Sequence, residues 1–218
     1  MLLAIDTATE FAGLALYDEN MLWAEEIWRA ARNHTVELMP RLKRMLDKAQ
    51  LKVCDLAGIA VAIGPGSYTG VRIGVALAKG LALPYNLPVV GVPTLDIAAY
   101  PHQSQNLPVI AVAQAGRRRI LAAHYGWVDQ TWRQTSPPVL TTVPELAQNL
   151  SGPALVTGEL QAQHAVYLQK AGKGAIKVVS PLHRARRPGA LAELGAMKLA
   201  NAEPDDLDGL TPIYLREP

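Results

Sequence analysis

The chain has 218 residues, half of them hydrophobic and only 18% charged, with 21 basic and 19 acidic side chains giving a formal net charge of +2. That composition builds a sizeable core and excludes intrinsic disorder. Net charge is −1 over residues 1–110 and +3 over the remainder, which is too little for an autonomous nucleic-acid binder. Cys54 is the only cysteine, so a disulfide framework and a multi-cysteine zinc site are excluded and a reducing, cytoplasmic setting is expected. The opening Met1-Leu2-Leu3-Ala4-Ile5-Asp6 has no basic segment and its apolar run stops at the aspartate, so no secretory leader is expected. The longest uncharged stretch, residues 97–116, carries His102, Gln103, Asn106 and two prolines, so no membrane span is expected.

Residues 2–6, 12–17 and 22–28 read as three strands whose links are too short for a crossover helix, which predicts an antiparallel meander. The period then changes. Leu38, Leu42, Met45 and Ala49 recur at helical spacing over residues 34–50, opposite Arg41, Lys43, Arg44, Asp47 and Lys48. Asn33 or Thr35 is the expected cap, and Pro40 predicts a kinked or poorly formed first turn. An apolar strand at 58–63, a glycine-rich turn, a helix over 70–83, a strand at 89–92 and a short helix at 95–100 follow, implying parallel pairing through crossovers. The polar segment 101–108 predicts a boundary between domains 1–105 and 106–218. Beyond it come extended stretches at 109–113, 120–127 and 132–140, a helix at 144–150, a strand at 154–157 and helices at 161–170 and 190–201. Both halves read strand–strand–strand–helix–strand–helix, a duplicated α/β architecture.

Asp6-Thr7-Ala8-Thr9 closes the first strand. An aspartate followed by hydroxyls suits a phosphate or a metal-bound water, and equally suits a turn whose side chains satisfy local backbone donors. Gly64-Pro65-Gly66-Ser67-Tyr68-Thr69-Gly70 leaves a strand and opens a helix, where free backbone N–H groups favour an anion. It lacks the Lys-Ser or Lys-Thr of a Walker A loop and the spacing of G-x-G-x-x-G, and a tight turn capped by Ser67 or Thr69 explains it as well. Asp6, Thr7, Thr9, Gly64, Gly66 and Ser67 are therefore candidates for a nucleotide-like cleft. Gly70, Gly74 and Ala78 share one helix face on which another backbone can approach. With Leu38, Leu42, Met45 and Arg72 they are the candidate partner or dimer interface. His34 has no ligand at the next helical turn, and the scattered His102, His124, His164 and His183 form no metal pattern. Arg117-Arg118-Arg119 and His183, Arg184, Arg186 and Arg187 are the only basic runs, solvated by default and able to make supplementary phosphate contacts.

Ile5-Asp6-Thr7-Ala8-Thr9-Glu10, Asn33-His34-Thr35 and Gly64 to Gly74 together resemble the TsaB (YeaZ) family of tRNA threonylcarbamoyladenosine biosynthesis proteins, and Pro212-Ile213-Tyr214-Leu215-Arg216 is similar to that family's ending. The resemblance implies an actin-like, two-lobed α/β fold of the sugar kinase/Hsp70/actin class, each lobe a mixed sheet with packed helices. It lets the helix at 190–201 cross back onto the first lobe. It implies a part in placing a threonylcarbamoyl group on the adenosine beside the anticodon. The chemistry then belongs to a catalytic subunit, TsaD, and an ATPase, TsaE, joins the complex. This chain is expected to be an accessory subunit that pairs through helices of its first lobe, forms homodimers and meets tRNA only through the complex.

The catalytic relative carries a His-x-x-x-His metal pair at positions that fall here on Thr94 and Ala98, so no catalytic residue and no metal are expected. No cofactor is required, and a remnant cleft leaves room for weak ATP or ADP binding. A segment common in the family as Asp-Ala-Arg reads Gln114-Ala115-Gly116-Arg117 here. The rival reading is an autonomous actin-like ATPase or small-molecule kinase, which needs a second carboxylate where Gln114 stands.

Overall fold

The computed structural model describes residues 1–19, 21–30, 33–116, 118–150, 152–201 and 204–214. It divides into two compact units, Met1–Thr94 with Arg187–Pro218, and Leu95–Arg186. The expected division after residue 105 is corrected accordingly: the last helix and the tail belong to the first unit.

In the first unit, β1 (Leu2–Asp6), β2 (Phe11–Asp18) and β3 (Met21–Arg29) form an antiparallel meander, and β4 (Gly58–Ala62) and β5 (Val89–Val92) extend it in parallel, giving the order β3-β2-β1-β4-β5. Every residue of β1, β4 and β5 is buried because helices cover both faces of the sheet. A Cβ on Gly195 of α7 (Pro188–Ala200) would lie 2.4 Å from the Ala60 Cβ. One on Gly74 of α2 (Tyr68–Ala82) would lie 3.6 Å from Val61 Cγ2, and adjacent strand residues point to opposite faces. Glu25 of β3 fixes the start of α7, accepting from the Gly189 backbone N–H at 2.8 Å and pairing with Arg187. A carboxylate at the positive end of a helix is favourably placed.

The helix α1 (His34–Lys48) is continuous through Pro40, so its first turn is formed. Val36, Met39 and Pro40 are all exposed, so water can reach the turn where the proline removes a donor. Asn33 holds the cap position without a side-chain capping bond. Leu38 is 2% exposed, Leu42 1% and Met45 7%, so these three are core and their expected place in a partner interface is corrected. The polar side of α1 meets β3, where Glu26 pairs with Arg41 and Arg44 and the Arg41 guanidinium lies 4.5 Å from the centre of the Trp28 ring.

The second unit repeats the plan. Its strands β6 (Val109–Gln114), β7 (Arg119–Val128), β8 (Thr131–Gln134), β10 (Ala154–Gly158) and β11 (Ile176–Val178) lie in the order β11-β10-β6-β7-β8, matching the first sheet strand for strand. The stretch expected at 132–140 is two strands, because Pro137 and Pro138 interrupt the ladder between β8 and β9 (Val139–Thr142). Both pair with the ten-residue β7, β8 near its end and β9 near its start. The helices α4 (Val143–Asn149) and α5 (Ala162–Ala171) close one face over a core that includes Ile110, Val112, Leu146, Val156, Leu168 and Ile176. Tyr125 is buried and donates to Asp96 of α3 (Thr94–Ala99) at 2.6 Å, and burial with the nearby carboxylate pushes its phenol above the usual range.

His102 is buried and hydrogen-bonded to Thr157 at 3.0 Å; burial first, then His183, holds its imidazole below the usual range. The folded chain therefore favours neutral His102, while the unfolded chain takes up a proton near pH 6.5. Stability from this site is full above that pH and is lost as pH falls below it. The urea midpoint should fall between about pH 7.5 and about pH 5.5, and fall less in His102→Gln. Equal falls in both proteins would remove His102 from the account.

Candidate functional site

The three segments that carry the family resemblance converge on one turn, residues 7–10 between β1 and β2. The Asp6 carboxylate accepts from the Ala8 N–H at 2.8 Å, so the buried aspartate shapes its own turn. The Thr7 hydroxyl donates to the Gly70 carbonyl at 2.7 Å. The Ser67 N–H donates to the Ala8 carbonyl at 2.6 Å. The His34 Nε2 donates to the Thr9 carbonyl at 2.8 Å, which makes this buried histidine a strut between α1 and the turn. Thr9 also bonds the Phe11 backbone, with its hydroxyl 3.3 Å from the amide nitrogen.

These contacts decide what the glycines do. A Cβ would sit 2.1 Å from the Ala8 carbonyl oxygen at Gly66, 2.2 Å from the Thr7 carbonyl oxygen at Gly70 and 2.4 Å from Thr7 Oγ1 at Gly74. All three distances are far below any contact a side-chain carbon tolerates. The small-residue face of α2 is thus the seat of the chain's own first turn. Gly70 and Gly74 are buried and Ala78 is 0% exposed, so their expected role as partner surface is corrected.

Two amides at the N-terminus of α2 also bond within the chain. The Ser67 hydroxyl caps the helix by accepting from the Gly70 N–H at 3.2 Å, and the Val71 N–H returns to the Ser67 carbonyl at 3.0 Å. Gly64 turns the chain at φ +96°, with the Ile213 carbonyl oxygen 2.9 Å from where its Cβ would be. The tail docks here: the Ile213 N–H donates to Ile63 at 2.7 Å, Tyr214 packs on Tyr68 with ring centres 5.1 Å apart, and Arg72 Nε donates to the Tyr214 hydroxyl at 2.6 Å. The hydrogen bond to Tyr214 raises Arg72 above its ordinary value, and its guanidinium lies 3.8 Å from the centre of the Tyr68 ring. Leu215 and Arg216, also quoted for the resemblance, lie outside the described residues, as does Arg117.

The six cleft candidates are therefore brought together, with Asp6, Thr7 and Gly64 buried beneath and Gly66 and Ser67 exposed. In the second unit, a carboxylate the sequence reading missed does reach the end of β6. Glu159 accepts from the Gln114 N–H at 3.3 Å and is neutralised by Arg186. Its position follows from Gly158, at φ +94°, where a Cβ would meet the Val112 carbonyl at 2.2 Å. Among the described residues, no three His, Cys, Asp or Glu side chains gather closely enough to hold a metal ion.

Two sheets of the same order and a phosphate-loop-like turn seated on a helix N-terminus place the chain in the actin-like ATPase fold class. (R)-2-hydroxyglutaryl-CoA dehydratase component A of Acidaminococcus fermentans shares that fold with a TM-score of 0.54 at 14% identity, over 91% of this chain and 98% of that one. YeaZ from Pseudomonas aeruginosa matches with a TM-score of 0.80 at 23% identity, over 98% of this chain and 99% of that one.

The relationship extends to sequence. The family model for tRNA N6-adenosine threonylcarbamoyltransferase, TsaD, matches residues 28–185. The tRNA threonylcarbamoyladenosine biosynthesis protein TsaB of Bacillus subtilis is 33% identical over 220 residues, covering 99% of this chain and 93% of the relative. TsaB of Escherichia coli is 38% identical over 122 residues, covering 56% of this chain and 48% of the relative. The chain belongs to the TsaB (YeaZ) family. Thr94 and Ala98, where the resemblance places the catalytic relative's histidines, are buried, and Thr94 donates its N–H to the Gly64 carbonyl at 2.8 Å. One hydroxyl and one methyl group do not make a metal site.

Two glycines of α2 test the packing. Gly74→Ala should destabilise the isolated chain by about 1–3 kcal/mol through overpacking against Thr7, despite alanine's better helix propensity. Gly80 has nothing within 4 Å of its would-be Cβ. Gly80→Ala should therefore stabilise the chain, by up to about 1 kcal/mol. Urea denaturation of both variants checks the pair, and equal effects would refute the seat. Ser67→Ala, which removes the cap, should cost about 1 kcal/mol in the same measurement.

Proposed function

We propose that this chain is a non-catalytic accessory subunit in the synthesis of threonylcarbamoyladenosine in tRNA, working in the cytoplasm. It pairs with the catalytic subunit TsaD and supports assembly with the ATPase TsaE. The observation that carries this reading is the match to Bacillus subtilis TsaB along 99% of the chain. The chemistry of the site agrees with it. The Asp6 carboxylate and the amides of Ala8, Ser67 and Gly70 bond within the chain, so they are spent on holding the turn. The chain on this reading needs no cofactor of its own, and ATP or ADP binds only weakly at the remnant cleft.

Correcting the helix faces relocates the pairing surface without removing it. The helices α1 and α2 touch one another. Their outward sides present Val36, 71% exposed, and Met39 on α1, and Tyr68, Arg72 and Leu83, 70% exposed, along or just beyond α2. Large apolar side chains on two adjacent helices make a surface of the kind that partners cover.

Mass spectrometry of tRNA nucleosides from cells depleted of this chain tests the function. Threonylcarbamoyladenosine should disappear and return with the intact chain; unchanged levels would refute the reading. Val36→Glu with Met39→Glu tests the surface. Both positions are exposed, so the chain should melt as before while co-purification with the catalytic subunit drops at least about tenfold, a cost of roughly 1.4 kcal/mol. Undiminished co-purification would move the interface elsewhere.

A further inference from the structure

Among the described residues of the first unit, arginines are paired with glutamates: Arg29 with Glu10, Arg41 and Arg44 with Glu26, and Arg187 with Glu25. Arg72 is the exception. It is exposed and meets two phenols instead of a carboxylate. Its Nε donates to the Tyr214 hydroxyl at 2.6 Å, and its guanidinium lies 3.8 Å from the centre of the Tyr68 ring and 5.4 Å from that of Tyr214. Neutral rings hold a cation in place without cancelling its charge. A guanidinium carries more N–H donors than the bond to Tyr214 uses, and a planar fork of such donors fits a carboxylate.

The tail builds this pose. Asp205 accepts from the Gly91 N–H at 2.6 Å, Leu210 is buried, and the Ile213 N–H donates to the Ile63 carbonyl at 2.7 Å. The tail is thus fixed along its course before it delivers Tyr214 to α2. Tyr68, Arg72 and Ala76 follow at four-residue spacing on that helix, and all three are exposed, so Arg72 stands within its outward stripe. A partner that covers the stripe takes Arg72 out of water. An uncompensated cation there opposes binding, so the partner has to bring the counter-charge.

A second copy of this chain has none to offer from the same face. The helix α2 contains no aspartate or glutamate, and the acids of α1, Glu37 and Asp47, are paired within that helix to Arg41 and Lys43. We infer that Arg72, held in position by Tyr68 and Tyr214, takes a carboxylate of the catalytic subunit and so selects that partner over a second copy of this chain. This rests on the proposed pairing and gives its surface a source of specificity.

The test is isothermal titration of the full chain with the purified catalytic subunit TsaD across a salt series, with sedimentation velocity to follow self-association. Arg72→Gln should melt as the parent does, because the side chain is exposed. It should bind at least about tenfold more weakly at low salt, the gap narrowing as salt screens the pair. Tyr214→Phe keeps the ring and the cation and removes only the hydrogen bond; it should bind more weakly than the parent and stay as sensitive to salt. Self-association should be no weaker in Arg72→Gln. Equal binding by the parent and Arg72→Gln, or a gap that is the same at every salt concentration, would overturn the inference. A matching loss of self-association would overturn it too, by making the second copy the occupant, and unchanged binding by Tyr214→Phe would overturn the part given to the tail. A parent that does not bind the catalytic subunit would take the proposed pairing down as well, whereas intact pairing indifferent to Arg72 would refute this inference alone.

Discussion

Two carbonyl groups, those of Thr7 and Ala8, lie against positions in and just before α2 that tolerate no side chain, and the first unit is organised around that contact. Gly66, Gly70 and Gly74 form the seat, with would-be Cβ positions 2.1, 2.2 and 2.4 Å from atoms of the turn. Because the turn belongs to β1 and β2, seating it positions the central strands against α2. Because Ser67 both donates to Ala8 and caps α2, the same contact sets where the helix begins. His34 then ties α1 to the other end of the turn through the Thr9 carbonyl. Close-packed interiors leave no slack for an added methyl group at such a point.

That constraint also explains why a motif shaped like an anion site is a joint in this chain. A helix N-terminus offers backbone donors and a favourable dipole end, and either a ligand or the protein itself can take them. Here the Ala8 carbonyl takes the Ser67 amide and the Ser67 hydroxyl takes that of Gly70. The second unit makes a parallel choice. It too leaves the parallel strand beside its first strand through a glycine of positive φ, Gly158 at φ +94° against Gly64 at φ +96°. The carboxylate next to it, Glu159, is engaged by Arg186 and Gln114. Both units thus use polar groups beside these turns for bonds within the chain.

Most of the fold was legible because period and connection length carry it. The meander followed from links too short for a crossover, and the repeated order of the two sheets from the repeated element pattern. The strand β11 escaped because it has three residues, Lys177 in the middle and glycines just before it. Helix faces were the harder problem. Leu38, Leu42 and Met45 at helical spacing identify an inward side, but spacing does not say whether the chain's own sheet or a partner covers it. For Gly70, Gly74 and Ala78, sequence shows that a backbone approaches closely and is silent on whose. Only the distance from each glycine to Thr7 decides that the approach is internal. The basic runs misled for a related reason, since charge counts do not reveal that Arg186 and Arg187 are spent on Glu159 and Glu25.

Local charge and net charge do different work in such a chain. A formal charge of +2 spread over 218 residues produces little long-range attraction for a polyanion. Local charge acts over about one Debye length, roughly 8 Å at physiological ionic strength, and holds only what is already near. In the proposed assembly, capture of tRNA then falls to other subunits. The Val36, Met39 and Leu83 face belongs to the first unit and depends on α1 and α2 being held in place by the turn at residues 7–10. In the proposed assembly, a substitution at the glycine seat would therefore weaken protein pairing indirectly, through the fold.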